Sequence, residues 1–441
     1  MEDELPSGLQ DALRFPLADA LRGRRSRRFA LGGTIPDGPL AHLSRFEPKP
    51  LEEIEQLFVL SAAAGGTGWH FLLPRSERLA PGVPPFSGSA SGRTFPSGAG
   101  IHTSEVFFTD DDGTYLFATR DVALPAHDAA GADRWIEEHR ARVRKLDDGR
   151  LDVHPPLISP QNAWCVNVPG STILIPVADA AQHTLALLFV TVLHGGTIYD
   201  DVNDRAIPGL DRFAGLVNLE EQWAISDMER EVVSSIAAEH SMICYAGMLA
   251  LQAAGLGGWF FSGMDQLAVL GAAPDVRGLG FTVERDDRWR GPNPVGRPGV
   301  FSATCPPNLP DLRACAEAYV ARQFGEGGPF NPDTPGPWRE SPAVRGGAAR
   351  HPDDVVDCVA TMAQYIFDRF GRFPSTVASA LATYYLQAHH LDLEFYDRHF
   401  APGAYLPTHA RHMDRWHPGD PPRIRRAADD ADAAAPGTSA G

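Results

Sequence analysis

Residues 228–254 form an unbroken run rich in Ala, Met and Leu that reads as one long helix, and it stops on the glycines of GLGGWFFSGMD at 255–265. A G-x-G at such a place raises the dinucleotide fingerprint, which needs a strand before the glycines and a helix after them. Here the order is reversed: a helix leads in and an apolar strand leads out. A Rossmann unit is therefore excluded, and a P-loop with it, because no G-K-[ST] triplet occurs. His194-Gly195-Gly196 resembles an esterase oxyanion loop, yet no strand-to-helix G-x-S-x-G elbow supplies a nucleophile.

Around this helix the pattern alternates. A short amphipathic helix is predicted over 8–21, with Leu9, Leu13, Leu17 and Leu21 on one face, and a second over 51–64, with Ile54, Leu57, Phe58 and Ser61 inward, ending at Gly65-Gly66. Residues 74–100 are rich in Pro, Gly and Ser and read as loop. A hairpin follows, with strands from Glu105 and from Thr114 flanking the turn DDDG. A charged helix near Trp135, a strand over 172–177 and an apolar helix over 181–193 precede the long helix.

The first helix delivers RRSRRF, residues 24–29, into a chain whose formal net charge is -17. That balance argues against nucleic acid or an anionic membrane as partner, because both need a basic surface. The arginines are therefore local, and a phosphate is the ligand their chemistry suits: guanidinium makes paired, charge-assisted bonds to its oxygens and a serine hydroxyl adds another. A basic helix end favoured by the helix dipole is the plainer reading. Five cysteines without a C-x-x-C pair suggest neither a disulfide framework nor a zinc ribbon. No run of eighteen apolar residues occurs, the nearest being 184–193, and the opening MEDELPSGLQ lacks signal-peptide order, so a cytoplasmic location is expected.

RRSRRF after a first helix, Pro96-Ser97-Gly98-Ala99-Gly100 before a strand opening Glu105-Val106-Phe107, and a helix carrying Glu239 ahead of Gly255-Leu256-Gly257 together resemble the nitroreductase superfamily of flavoproteins. The likeness runs over about residues 10–285 and is closer to the azoline dehydrogenase branch, which oxidises thiazolines and oxazolines. It implies an α+β fold, a mixed and largely antiparallel sheet wrapped by helices, with FMN at the interface of a homodimer. The implied activity is flavin-dependent oxidoreduction, a hydride passing between flavin N5 and an organic substrate or NAD(P)H. By the same resemblance Arg24, Arg25, Ser26 and Arg28 meet the phosphate and the pyrimidine edge, and Pro96, Ser97, Gly98 and Gly100 lie against the ring. Ser262 and Gly263 stand where relatives offer a backbone N–H to N5, and Arg297 is a later phosphate ligand. The sequence departs from the family at His102-Thr103 and at Tyr245-Ala246, and no Lys-Tyr pair is visible, so no azoline substrate is implied and no catalytic residue is assigned. A flavin-binding or partner-binding protein without turnover is the alternative.

Past residue 305 the resemblance ends. The expected organisation is a flavin domain over 1–305, an irregular linker over 306–350, a helical extension over 351–418 with helices at 353–370 and 375–387, and a disordered tail over 419–441. The extension gathers His389, His390, His399, His409, His412 and His417. His390, Glu394 and Asp397 fall on one predicted helical face and His409 and His412 are three apart, a spacing open to Zn or Fe. The histidines are read instead as packed or carboxylate-paired, with no metal ligand assigned and a metal site as the alternative.

Overall fold

The computed structural model describes residues 6–69, 91–120, 131–289, 291–334, 336 and 338–426. Its centre is a seven-stranded sheet. In chain order the strands are β1 (Ser104–Thr109), β2 (Gly113–Phe117), β3 (Val143–Asp148), β4 (Thr172–Asp179), β5 (Gly257–Phe261), β6 (Ala380–Leu381) and β7 (Tyr385–His389). They lie in the order β5-β7-β4-β1-β2-β3, with β6 also on β4. Every one of these ladders is antiparallel; among the described residues the parallel pairing sits in a separate small sheet, where Gln222–Ala224 runs beside Thr197–Asp200. The chain is an α+β protein.

The helices that matter below are α1 (Ser7–Leu13), α2 (Leu17–Gly23), α3 (Glu53–Ala64), α4 (Ala180–Leu193), α5 (Ile225–Ala254), α6 (Leu312–Phe324), α7 (Asp353–Phe370) and α8 (His412–Trp416). Successive strand side chains point to opposite faces, and here both faces are covered. Val106, Phe108, Leu174, Leu386 and Ala388 pack with Leu57 and Phe58 of α3 and Ile243 and Leu251 of α5. Phe107, Ile173, Ile175, Val177 and Tyr385 pack instead with Phe281 and Phe301. This explains why β1 and β4 read as continuous apolar runs. Asp179 ends β4 and caps α4, accepting from Gln182 N at 2.8 Å and from Thr304 Oγ1 at 2.7 Å. By length and composition α5 could cross a membrane; here Val232, Ile236, Met248 and Leu251 are buried in the protein, while Met242 and Tyr245 on the same helix are exposed.

Several expectations are corrected. The helix predicted over 8–21 breaks into α1 and α2 at Pro16, which has no N–H to continue the ladder, so Leu17 and Leu21 are exposed. The stretch 306–350 is not an irregular linker, because it holds α6, which packs with α4 and α7 in one core. Residues 375–387 are not a helix: β6 and β7 lie there, and β7 fills the slot between β4 and β5. The segment beyond 305 is thus part of the central sheet and no appendage. Of the tail, residues 423–425 pair with 45–47, with Glu47 N donating to Arg423 O at 2.8 Å; residues 427–441 lie outside the described residues.

Candidate functional site

Two constellations stand out. The first is built on RRSRRF. After α2 the backbone is extended and pairs with the edge of β5, Arg27 N donating to Gly258 O at 3.1 Å and Gly258 N to Arg27 O at 2.9 Å. Alternation along this segment separates its arginines. Arg27 turns inward and is buried, donating to Gln252 Oε1 at 2.7 Å, Ala404 O at 2.9 Å and Gly23 O at 3.2 Å. Burial pulls its pKa down to about 10. Arg24, Arg25, Ser26 and Arg28 are exposed, and among the described residues none of these arginines faces a carboxylate.

Arg28 leads to a second predicted element. Its guanidinium lies 5.4 Å from the Trp259 ring centre and donates to Asn162 Oδ1 at 3.3 Å. Asn162 Nδ2 in turn donates to Ser159 Oγ at 3.2 Å, and Ser159 N to Gly263 O at 2.8 Å. A Cβ at 263 would stand 2.5 Å from Ser159 Oγ and 2.6 Å from Asn162 Nδ2, so any larger residue would have to displace both side chains. Among the described residues no acceptor takes the Gly263 N–H. The structure thus joins Arg28 to the Ser262-Gly263 turn through Asn162, a residue that sequence reasoning did not single out.

The remaining predicted residues lie elsewhere. Pro96, Ser97, Gly98 and Gly100 precede β1, which β7 and β4 separate from β5. Ser97 Oγ donates to Glu239 Oε2 at 2.7 Å and Ser104 N to Glu239 Oε1 at 2.9 Å, so the buried Glu239 sews this loop to α5. Gly100 has φ 68°, the left-handed region that the expected backbone freedom requires. Arg297 does not join the cluster: it forms a two-pronged pair with Asp147, at 2.6 and 3.0 Å, and its charge is satisfied there.

The second constellation gathers histidines, though not on the predicted face. His390 follows β7 rather than sitting on a helix, Glu394 pairs with Arg45, Asp397 accepts from Tyr405 Oη at 2.7 Å, and His409 Nδ1 accepts from Leu406 N at 3.1 Å. His390, His412 and His417 converge instead on Glu55 of α3, their Nε2 atoms 3.2, 2.9 and 3.0 Å from Glu55 Oε1. All four are buried. Burial alone would raise the Glu55 carboxyl; the imidazoles facing it outweigh that and hold it well below the usual carboxylate range. Glu55 was the missed member. Its one local signal is a carboxylate on the apolar stripe of α3, between Ile54 and Phe58.

No family model matches this chain, and no curated protein matches it. Among solved structures it is similar to a candidate nitroreductase from Ralstonia eutropha JMP134, at 16% identity and a TM-score of 0.26, over 57% of this chain and 72% of that one.

Proposed function

We propose that this chain is an FMN-dependent oxidoreductase of the nitroreductase kind. The observation that carries the reading is the exposed group Arg24, Arg25 and Arg28, without a carboxylate partner among the described residues of a strongly acidic chain, with Arg28 linked through Asn162 to the Gly263 turn. The donor set fits the group. Arg24, Arg25, Arg28 and Ser26 would hold the phosphate, and the Gly263 N–H is available to a ring nitrogen. Bound FMN supplies the hydride chemistry; the chain's residues bind and orient it. Pro96–Gly100 is remote from Arg28 within one chain, and Leu17, Leu21, Met242 and Tyr245 are exposed on α2 and on α5, against which it packs. A homodimer in which a second copy supplies the Pro96–Gly100 loop completes the site. No azoline substrate is proposed, and Arg297 is not included.

Purified protein is expected to be yellow and to release FMN on denaturation. Losing hydrogen bonds to a charged group costs about 1.5–3 kcal/mol, so Arg24→Ala should weaken FMN binding about tenfold to a hundredfold, while Arg297→Ala should not. NAD(P)H or an organic donor should bleach the flavin absorbance; bleaching by dithionite alone would indicate a binding role. A colourless protein that takes up no FMN on titration overturns the reading.

A further inference from the structure

The structure assigns a second, independent site: we propose that Glu55, His390, His412 and His417 form a closed, tetrahedral centre for a zinc-class divalent ion. His390 Nδ1 is 2.9 Å from Lys49 O, His412 Nδ1 is 2.8 Å from Ala254 O, and His417 Nδ1 is 2.9 Å from Glu52 Oε1. Each of these oxygens only accepts, so each Nδ1 carries a proton, and every ring that is neutral turns a lone pair inward from Nε2. Those lone pairs meet each other and a carboxylate. His390 Nε2 and His417 Nε2 are 3.2 Å apart, and His412 Nε2 makes no hydrogen bond although Glu55 Oε1 is 2.9 Å away.

Four electron-rich atoms converging in a buried place repel unless a cation sits among them. One imidazolium beside Glu55 would pair a single nitrogen and leave the other lone pairs facing each other, and three would bury like charges together against a steep desolvation cost. One divalent ion answers it directly. Bonds of about 2.0–2.1 Å to zinc give ligand separations of roughly 3.3 Å, and the separations here are 2.9–3.2 Å from Glu55 Oε1 to each nitrogen. The backing of every Nδ1 by an oxygen is the outer shell that fixes ligating histidines. With four buried protein ligands the centre keeps no open position, which marks a structural ion rather than a catalytic one. It fastens α3, the end of β7 and the α8 segment at one point. This proposal does not rest on the flavin reading.

The test uses the full chain, purified without a metal-affinity tag. Elemental analysis should find one zinc per chain, and the metal-stripped protein should take up Co2+ with the intense visible bands of tetrahedral coordination. Stripping should lower the unfolding temperature, and zinc should restore it. His390→Ala and His412→Ala should lose the metal, whereas His409→Ala should keep it. If the ligand variants precipitate, the wild-type zinc content and Co2+ spectrum decide. Wild-type protein that holds no transition metal and gives no Co2+ bands, or soluble His390→Ala that retains zinc, overturns the assignment.

Discussion

Arg27 and Arg28 are neighbours with opposite fates. Extended backbone paired with Gly258 sends one guanidinium into the protein, where three oxygens hold it, and leaves the other over Trp259 at the surface. The letters RRSRRF announced a basic cluster; which arginine is structural depends on a strand pairing about 230 residues away. Buried titratable groups show a similar separation. His240 on α5 is fully buried, with Nδ1 2.7 Å from Thr383 Oγ1, and burial pulls its pKa down to about 4. The unfolded chain, with an ordinary value near 6.5, binds this proton first as pH falls. His240 therefore leaves stability untouched above about pH 6.5 and removes it progressively down to about pH 4, by on the order of 3 kcal/mol in all. Urea midpoints measured at pH 7 and pH 4.5 should show the decline, and His240→Gln should make it shallower, the remainder coming from His351, His389 and His409, which burial lowers in the same way; an unchanged slope in that variant would refute the assignment.

Elements meet where side chains are missing. The glycines after α5, which fail as a nucleotide fingerprint, are the places where backbone must touch backbone. Gly258 has φ 147° on β5, and a Cβ there would collide with the Gln387 carbonyl of β7. Gly258→Ala should cost about 3 kcal/mol or more by overpacking and strain. A thermal melt within a degree of wild type would show that the ladder yields more easily than this. The β1–β2 hairpin, β4, α3, α4, α5 and α7 were legible from sequence, since each carries a continuous apolar pattern with its own start and stop signals. Pro16 is a local stop signal that the regular leucine spacing on either side of it masks. Residues 375–387 could not be read, because an Ala-rich apolar run suits a helix as well as a strand, and only the open slot between β4 and β5 decides. The Glu55 cluster was hidden for a related reason: 335 residues separate Glu55 from His390, so no spacing within the histidine-rich segment points to it. The first constellation was partly legible, Arg28 and Gly263 as motifs and Asn162 not at all, because an asparagine in a loop has no pattern to display.

At the scale of the whole molecule the expected boundary at residue 305 divides what the fold unites. Removing residues 306–441 takes away β7, α6 and α7, opens the sheet between β4 and β5, and uncovers the apolar cluster around α4. A 1–305 fragment should therefore lack the cooperative unfolding transition of the full chain and expose apolar surface to ANS. A soluble fragment that melts cooperatively as the full chain does would show that residues 1–305 stand alone. The same strand order fixes a schedule for synthesis. A ribosome reading from the first codon completes β4 and β5 long before it reaches Tyr385, so both strands must wait with unpaired edges on either side of a gap one strand wide. During that interval the nascent chain is a template for wrong partners, and the gap closes only when residue 389 has emerged.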